Sequence, residues 1–199
     1  SAVIAKGLLL DQYLNDFDND GLNANDDPDE DGDGKIDADR DHDGLLEIYD
    51  LEGLNAIRNN LQGTGFTNEL NGDIDNSGCP IQLINGEYIR KCSGYELMTN
   101  LNLDTNQDGL QTELDTFYND SSGWKPIGYS SSHFSAIFEG NNYTINGLYI
   151  NRESETYIGL FGSISDAEIR NLNIKTNFDI RGNVYVGTLA GKVDSSIIK

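Results

Sequence analysis

The stretch DEDGDGKIDADRDHDG (residues 29–44) limits what this chain can fold into more than any other. It sets seven aspartates on alternate or near-alternate positions, with glycines at fixed places among them. Like charges so close together repel unless a cation sits between them. From Asp16 to Asp50, fifteen acids stand against Lys35 and Arg40, so about −13 of the formal −21 falls in this segment. Such a block ordinarily reads as a self-repelling, disordered tail. Here the regular spacing points instead to a set of cation loops.

The calcium-loop template places oxygen ligands at positions 1, 3, 5, 7, 9 and 12, with glycine at 6. A loop begun at Asp39 meets it with Asp41, Asp43, Gly44, the Leu45 carbonyl, Glu47 and Asp50. One begun at Asp16 supplies Asp18, Asp20, Gly21, the Leu22 carbonyl and Asp27, with Ala24 blank at position 9. One begun at Asp29 supplies Asp31, Asp33, Gly34, the Lys35 carbonyl and Asp37. Its position 12 is Arg40, so Asp39 or Asp41 must close it; Asp27 is a competing start. A fourth match lies far away, in Asp104, Asn106, Asp108, Gly109, the Leu110 carbonyl, Thr112 and Asp115. The all-oxygen ligand set suits calcium, which takes six to eight oxygens. It suits zinc poorly, and magnesium demands stricter geometry. About three to five Ca2+ ions are expected, each offsetting repulsion and supplying folding energy. His42 lies between ligand positions and is expected to face solvent, as is His133.

The ladder resembles the thrombospondin type 3 repeat, a tandem array of DxDxDG turns wrapped around calcium, over about residues 16–50. That resemblance implies an extracellular, calcium-stiffened spacer. The organisation expected is an apolar segment at 1–15, the calcium array at 16–50, a junction at 51–93 and a repeat region at 94–199. SAVIAKGLLLDQYL lacks the long apolar core and cleavage site of a signal peptide. No apolar run approaches the length of a membrane span. No basic patch is present for nucleic acid.

In the junction, Leu51, Leu54, Ile57 and Leu61 recur at helical spacing, with Asp50 as N-cap and Gly63 as a stop. Residues 63–94 read as a loop excursion holding both cysteines. Cys79 and Cys92 fit no zinc spacing, so a disulfide is expected, and with it an oxidising compartment.

The last third repeats. Tyr157 and Tyr185, Gly159 and Gly187, and Ile169 and Ile197 lie 28 residues apart, while the glycine of LAG slips one place, from 162 to 191. Upstream, YTINGLYI (143–150) aligns with EIRNLNI (168–174) at a period of 24. Periods in the twenties with short alternating strands predict a parallel, right-handed β-helix or solenoid; a sandwich of irregular hairpins is the alternative. Asn141, Asn142, Asn146, Asn171 and Asn173 are expected at its turns. The pattern Gly159-Leu160-Phe161-Gly162 resembles the GLUG repeat, and the second copy, Gly187-Thr188-Leu189-Ala190, departs from it. This resemblance spans about residues 94–199 and implies stalk or adhesive structure in bacterial surface proteins.

No nucleophile motif accompanies His42 or His133, so the chain is expected not to be an enzyme. A calcium-dependent polysaccharide-degrading enzyme would need a base from Lys125, Arg152, Arg170, Lys175 or Arg181. A carbohydrate-binding module would use Trp124, Tyr129, Tyr143, Tyr149 and Tyr157. The leading expectation is a calcium-stabilised structural or adhesive segment of a secreted bacterial surface protein or extracellular fibre. Its expected partners are calcium, copies of itself or neighbouring repeats, and a surface glycan or protein.

Overall fold

The computed structural model describes Asp29 and residues 36–199. The apolar segment 1–15 and the expected ligands Asp16, Asp18, Asp20, Leu22, Asp27, Asp31, Asp33 and Lys35 lie outside the described residues. The chain is mainly β, with one short α-helix among the described residues. In chain order the strands begin with β1 (Leu45–Ile48), β2 (Phe66–Thr67), β3 (Ile74–Asp75), β4 (Ile81–Ile84) and β5 (Glu87–Arg90). β6 (Gly94–Leu97), β7 (Leu101–Asn102), β8 (Ile137–Glu139), β9 (Thr144–Asn146) and β10 (Ile150–Ile158) follow. The last six are β11 (Phe161–Ser165), β12 (Glu168–Arg170), β13 (Asn173–Lys175), β14 (Ile180–Val186), β15 (Ala190–Asp194) and β16 (Ile197–Ile198).

Strands far apart in sequence pair in parallel. The largest sheet runs β1-β6-β8-β12-β16, and smaller ones pair β7-β9-β13, β10-β14 and β11-β15. Each passage of the chain thus contributes one strand to a sheet and moves on to the next. The register of the large sheet aligns side chains in rows. Leu46, Tyr95, Phe138 and Ile169 form one row, buried in the core. Strand side chains alternate between faces, so the next row, Glu47, Glu96, Glu139 and Arg170, points the other way. The core continues through Phe134 and Phe161, whose rings lie 4.8 Å apart, and Phe138, edge-on to Phe161 at 5.5 Å.

The helix α1 (Leu51–Ala56) starts where the sequence placed it. Asp50 is extended, and its carboxylate accepts the Gly53 N–H at 2.8 Å. It ends sooner than the apolar spacing suggested. A 3-10 turn takes over at Ile57–Asn59, and Asn60, not Gly63, ends it. The excursion that follows holds two antiparallel pairs, β2-β3 and β4-β5, and a disulfide joins Cys79 to Cys92, both fully buried. The turn before Cys79 docks on the third aspartate loop. Ser77 Oγ accepts the Ala38 N–H at 3.0 Å, and the Ser77 carbonyl accepts that of Asp39 at 3.2 Å. Gly78 has to be glycine there, since a Cβ would lie 1.8 Å from the Asp39 carbonyl oxygen.

Three sequence expectations need correction. The period of 24 does not hold: Ile145 pairs with Ile174, and Ile169 pairs with Phe138 and Ile198, because 143–146 and 168–170 belong to different sheets. The period is 28 at Ile158↔Val186 but 29 at Phe161↔Ala190, which is the one-place slip of the glycine. Asn141, Asn142 and Asn171 do take left-handed turns, with φ of 48°, 62° and 51°, whereas Asn146 and Asn173 lie in β9 and β13. The sheet also starts earlier than residue 94, at Leu45, directly behind the aspartate loop.

Candidate metal centres

Two loops, 65 residues apart, are built alike. In the first, Asp39 Oδ2 accepts the Gly44 N–H at 2.9 Å, Asp41 Oδ1 that of Asp43 at 3.2 Å, and Asp43 Oδ1 that of Leu45 at 2.8 Å. In the second, Asp104 Oδ2 accepts the Gly109 N–H at 3.0 Å, Asn106 Oδ1 that of Asp108 at 3.2 Å, and Asp108 Oδ1 that of Leu110 at 2.8 Å. Position 4 is left-handed in both, at His42 (φ 59°) and Gln107 (φ 57°). So is position 6, at Gly44 (φ 91°) and Gly109 (φ 79°), where glycine adopts that conformation without the strain a Cβ brings.

The first aspartate of each loop carries the observation that bears on a cation. Asp39 Oδ1 and Asp104 Oδ1 are buried and have no hydrogen-bond partner. An unpaired buried carboxylate oxygen is costly unless a positive charge meets it. Oxygens of Asp39, Asp41 and Asp43 lie within 4.8 Å of one another. The distance between two oxygens across a calcium ion cannot exceed twice the metal–oxygen distance, about 5 Å. The group therefore fits Ca2+. The Cys79–Cys92 disulfide lies under it, with Cys92 Sγ 3.3 Å from Asp39 Oδ2.

The remaining expected ligands separate. Asp37 is buried beside the first loop, and Asp29 is half-buried. Asp50 does not join the Asp39 group: β1 runs extended behind Gly44 and carries it away to cap α1. Glu47, on β1, meets Asp41 and Glu96 rather than Asp39. In the second loop, Asp115 is buried and turns back on the loop's start. Its Oδ1 accepts the Thr105 N–H at 2.7 Å and its Oδ2 the Thr112 N–H at 2.9 Å. Asn106, Asp108 and Leu110 are exposed. His42 does not simply face water; its Nδ1 lies 2.8 Å from the Gly78 carbonyl oxygen and ties the loop to the disulfide turn.

Sequence reading missed Glu96 and Glu139. Both are buried, in the row Glu47–Glu96–Glu139. Arg170 terminates the row through Nε, 2.5 Å from Glu139 Oε2, and Asn141 donates to Glu96 Oε2 at 2.6 Å. A signal was available in the recurring dipeptide of one large apolar and one charged residue: Leu46-Glu47, Tyr95-Glu96, Phe138-Glu139 and Ile169-Arg170.

No protein-family model matches the chain. No solved structure matches it either. A protein of Evansella cellulosilytica whose name describes a Gly-rich membrane protein is 40% identical over 72 residues, 35% of this chain and 8% of that one. Halomucin of Haloquadratum walsbyi is 30% identical over 156 residues, 76% of this chain and 2% of halomucin. The chain therefore spans under a tenth of either relative.

Burial pushes the Asp39 carboxyl from 3.8 up to about 7, with Asp43 and Asp41 adding to the rise and the Gly44 N–H and His42 opposing it. Burial likewise lifts Glu96 from 4.5 to about 7; Asp43, Asp41 and Glu47 add to this, and Asn141 opposes it. With cations chelated, the folded chain keeps these protons up to about pH 7, while the unfolded chain releases them near pH 4. The folded state then binds more protons across this window, so stability falls as pH rises. Thermal melts in chelator should show a higher midpoint at pH 5 than at pH 8. The opposite order would remove the burial of these two carboxyls from the account.

Proposed function

We propose that this chain is a calcium-stabilised structural segment of an extracellular surface protein or fibre. In this reading the Asp39 and Asp104 loops each hold a calcium ion and stiffen a stack of parallel β coils. The observation that carries it is the repetition of one loop geometry at two distant places, each leaving a buried aspartate oxygen without a partner. Asp39, Asp41, Asp43 and the Leu45 carbonyl would hold one ion. Asp104, Asn106, Asp108 and the Leu110 carbonyl would hold the other, with Asp115 bracing the loop. Calcium supplies positive charge there; the chain's residues supply the fixed cage.

The solenoid part of the proposal rests on the parallel register. Ile145↔Ile174, Ile150↔Ile180 and Phe161↔Ala190 are offset by 28–31 residues, as expected when each turn of a coil lies on the one before. On β14, β15 and β16, Val184, Val186, Val193, Ile197 and Ile198 are exposed. A further coil or a second copy would stack on that surface. Export is supported by the disulfide. No helix among the described residues is long and apolar enough to cross a membrane.

The alternatives lose their sequence support. Trp124, the aromatic on which sugar binding leaned most, is 1% exposed. Arg152, Arg170 and Arg181, candidate bases for an enzyme, are each held by carboxylates. The proposal is tested by titrating calcium into metal-free chain in a calorimeter. Saturable binding is expected in the range of about 10⁻⁴–10⁻³ M, typical of extracellular modules. A chain that takes up no calcium at 10-fold higher concentration overturns it.

A further inference from the structure

The acidic row of the large sheet is harder to account for than the two loops. Glu47 and Glu96 stand directly opposite each other on adjacent parallel strands, and Glu139 follows on the next. Like charges in register destabilise a sheet. Arg170 answers the charge only at the Glu139 end. At the other end the Tyr49 hydroxyl donates to Glu47 Oε2, a neutral contact. Between them Glu96 is 4% exposed. Its Oε2 accepts from Asn141, and its Oε1 is buried with no partner. Asp41, reaching over from the aspartate loop, completes a group in which one oxygen each from Asp41, Glu47 and Glu96 lies within 4.8 Å of the others.

We infer that Asp41, Glu47 and Glu96 form a separate site for a hard divalent cation of calcium's size, bridging the aspartate loop to strands β1 and β6. The group offers oxygen alone, which excludes soft-metal preference. Its spread fits the roughly 5 Å span across Ca2+ and exceeds the roughly 4.2 Å span across Mg2+. The buried, unpaired Glu96 Oε1 supplies the requirement for a positive charge, and exposed Asp41 leaves a way in from solvent. Glu47 therefore serves this site instead of position 9 of the Asp39 loop, and Asp41 is shared between two ions. Glu96 lies 46 residues beyond the last aspartate of the ladder, so the ion fastens the loop to the sheet. The inference rests on the calcium reading for the identity of the ion.

The test counts calcium bound per chain by equilibrium dialysis and elemental analysis, on the full chain and on Glu96→Gln, with Asp104→Asn as reference. Glu96→Gln should bind one ion fewer than the parent, and Asp104→Asn should lose a different one, so the double variant loses two. In chelator Glu96→Gln should melt above the parent, because a buried charge is gone; in calcium it should gain less than the parent does. An unchanged ion count in Glu96→Gln, with Asp104→Asn losing its ion, overturns this site and leaves the loop reading intact. A parent chain that binds no calcium overturns both. Should Glu96→Gln fail to fold, the carboxyl ¹³C shift of Glu96 in labelled parent protein decides the matter. A shift that moves on calcium addition supports the site, and one that stays constant overturns it.

Discussion

Chelating divalent cations lowers the melting temperature of this chain by about 10 °C. The magnitude follows from mass action. A ligand that binds only the folded state stabilises it by RT ln(1 + [L]/Kd), which at 10 mM calcium and a Kd of 10⁻⁴–10⁻³ M is about 1.4–2.7 kcal/mol per site. The Asp39 and Asp104 loops together then contribute about 3–5 kcal/mol. For a domain of this size each kcal/mol moves the midpoint by about 2–4 °C. Electrostatics sets the sign a second way. Without the ions, Asp39, Asp41 and Asp43 repel across less than 4.8 Å, and Asp39 Oδ1 stays buried and unpaired. Screening by salt relieves part of that repulsion but cannot fill the cage. The comparison is therefore made between 10 mM calcium and sodium chloride of equal ionic strength with chelator. Equal midpoints would contradict the calcium reading.

The second large effect is Trp124→Ala, which costs about 3–5 kcal/mol. Trp124 is the largest fully buried side chain among the described residues. Its indole N–H donates to the Leu160 carbonyl at 3.0 Å, and its ring meets Phe117 edge-on at 5.2 Å. Arg58 lies over the ring, 5.1 Å from its centroid, and donates to the Lys125 carbonyl at 3.0 Å. Truncation opens a cavity, leaves the Leu160 carbonyl unpaired and removes the aromatic face that Arg58 covers. Tyr129→Ala is the companion: Tyr129 is 59% exposed, and a change within about 0.5 kcal/mol is expected. Denaturant midpoints measure both. A Trp124→Ala chain as stable as the parent would put the ring outside the core and restore it as a sugar-stacking candidate.

Features that depend on short-range spacing were legible in the sequence. The Asp39 and Asp104 loops, the Asp50 cap and the Cys79–Cys92 pairing each need only residues within about a dozen positions, and the chain has little freedom there. Tyr157 and Tyr185, read as equivalent from spacing alone, stack with ring centroids 5.1 Å apart. Features that depend on which strand lies beside which were not legible. Alternation marks a strand but not its sheet, so 143–150 and 168–174 looked equivalent although they pair elsewhere. The rows Glu47–Glu96–Glu139 were hidden for a related reason. Successive strands of the large sheet are offset by 49, 43, 31 and 29 residues, from Leu45 to Gly94, Ile137, Glu168 and Ile197. The early passages are lengthened by the disulfide excursion and by the second aspartate loop. A repeat with such unequal steps has no single period to detect.

The most direct measurement is the anomalous scattering of crystals grown in millimolar calcium. The account predicts a calcium peak about 2.3–2.6 Å from Asp39 Oδ1 and another at that distance from Asp104 Oδ1. Maps with no anomalous density at either oxygen, under calcium concentrations that saturate extracellular sites, would contradict it.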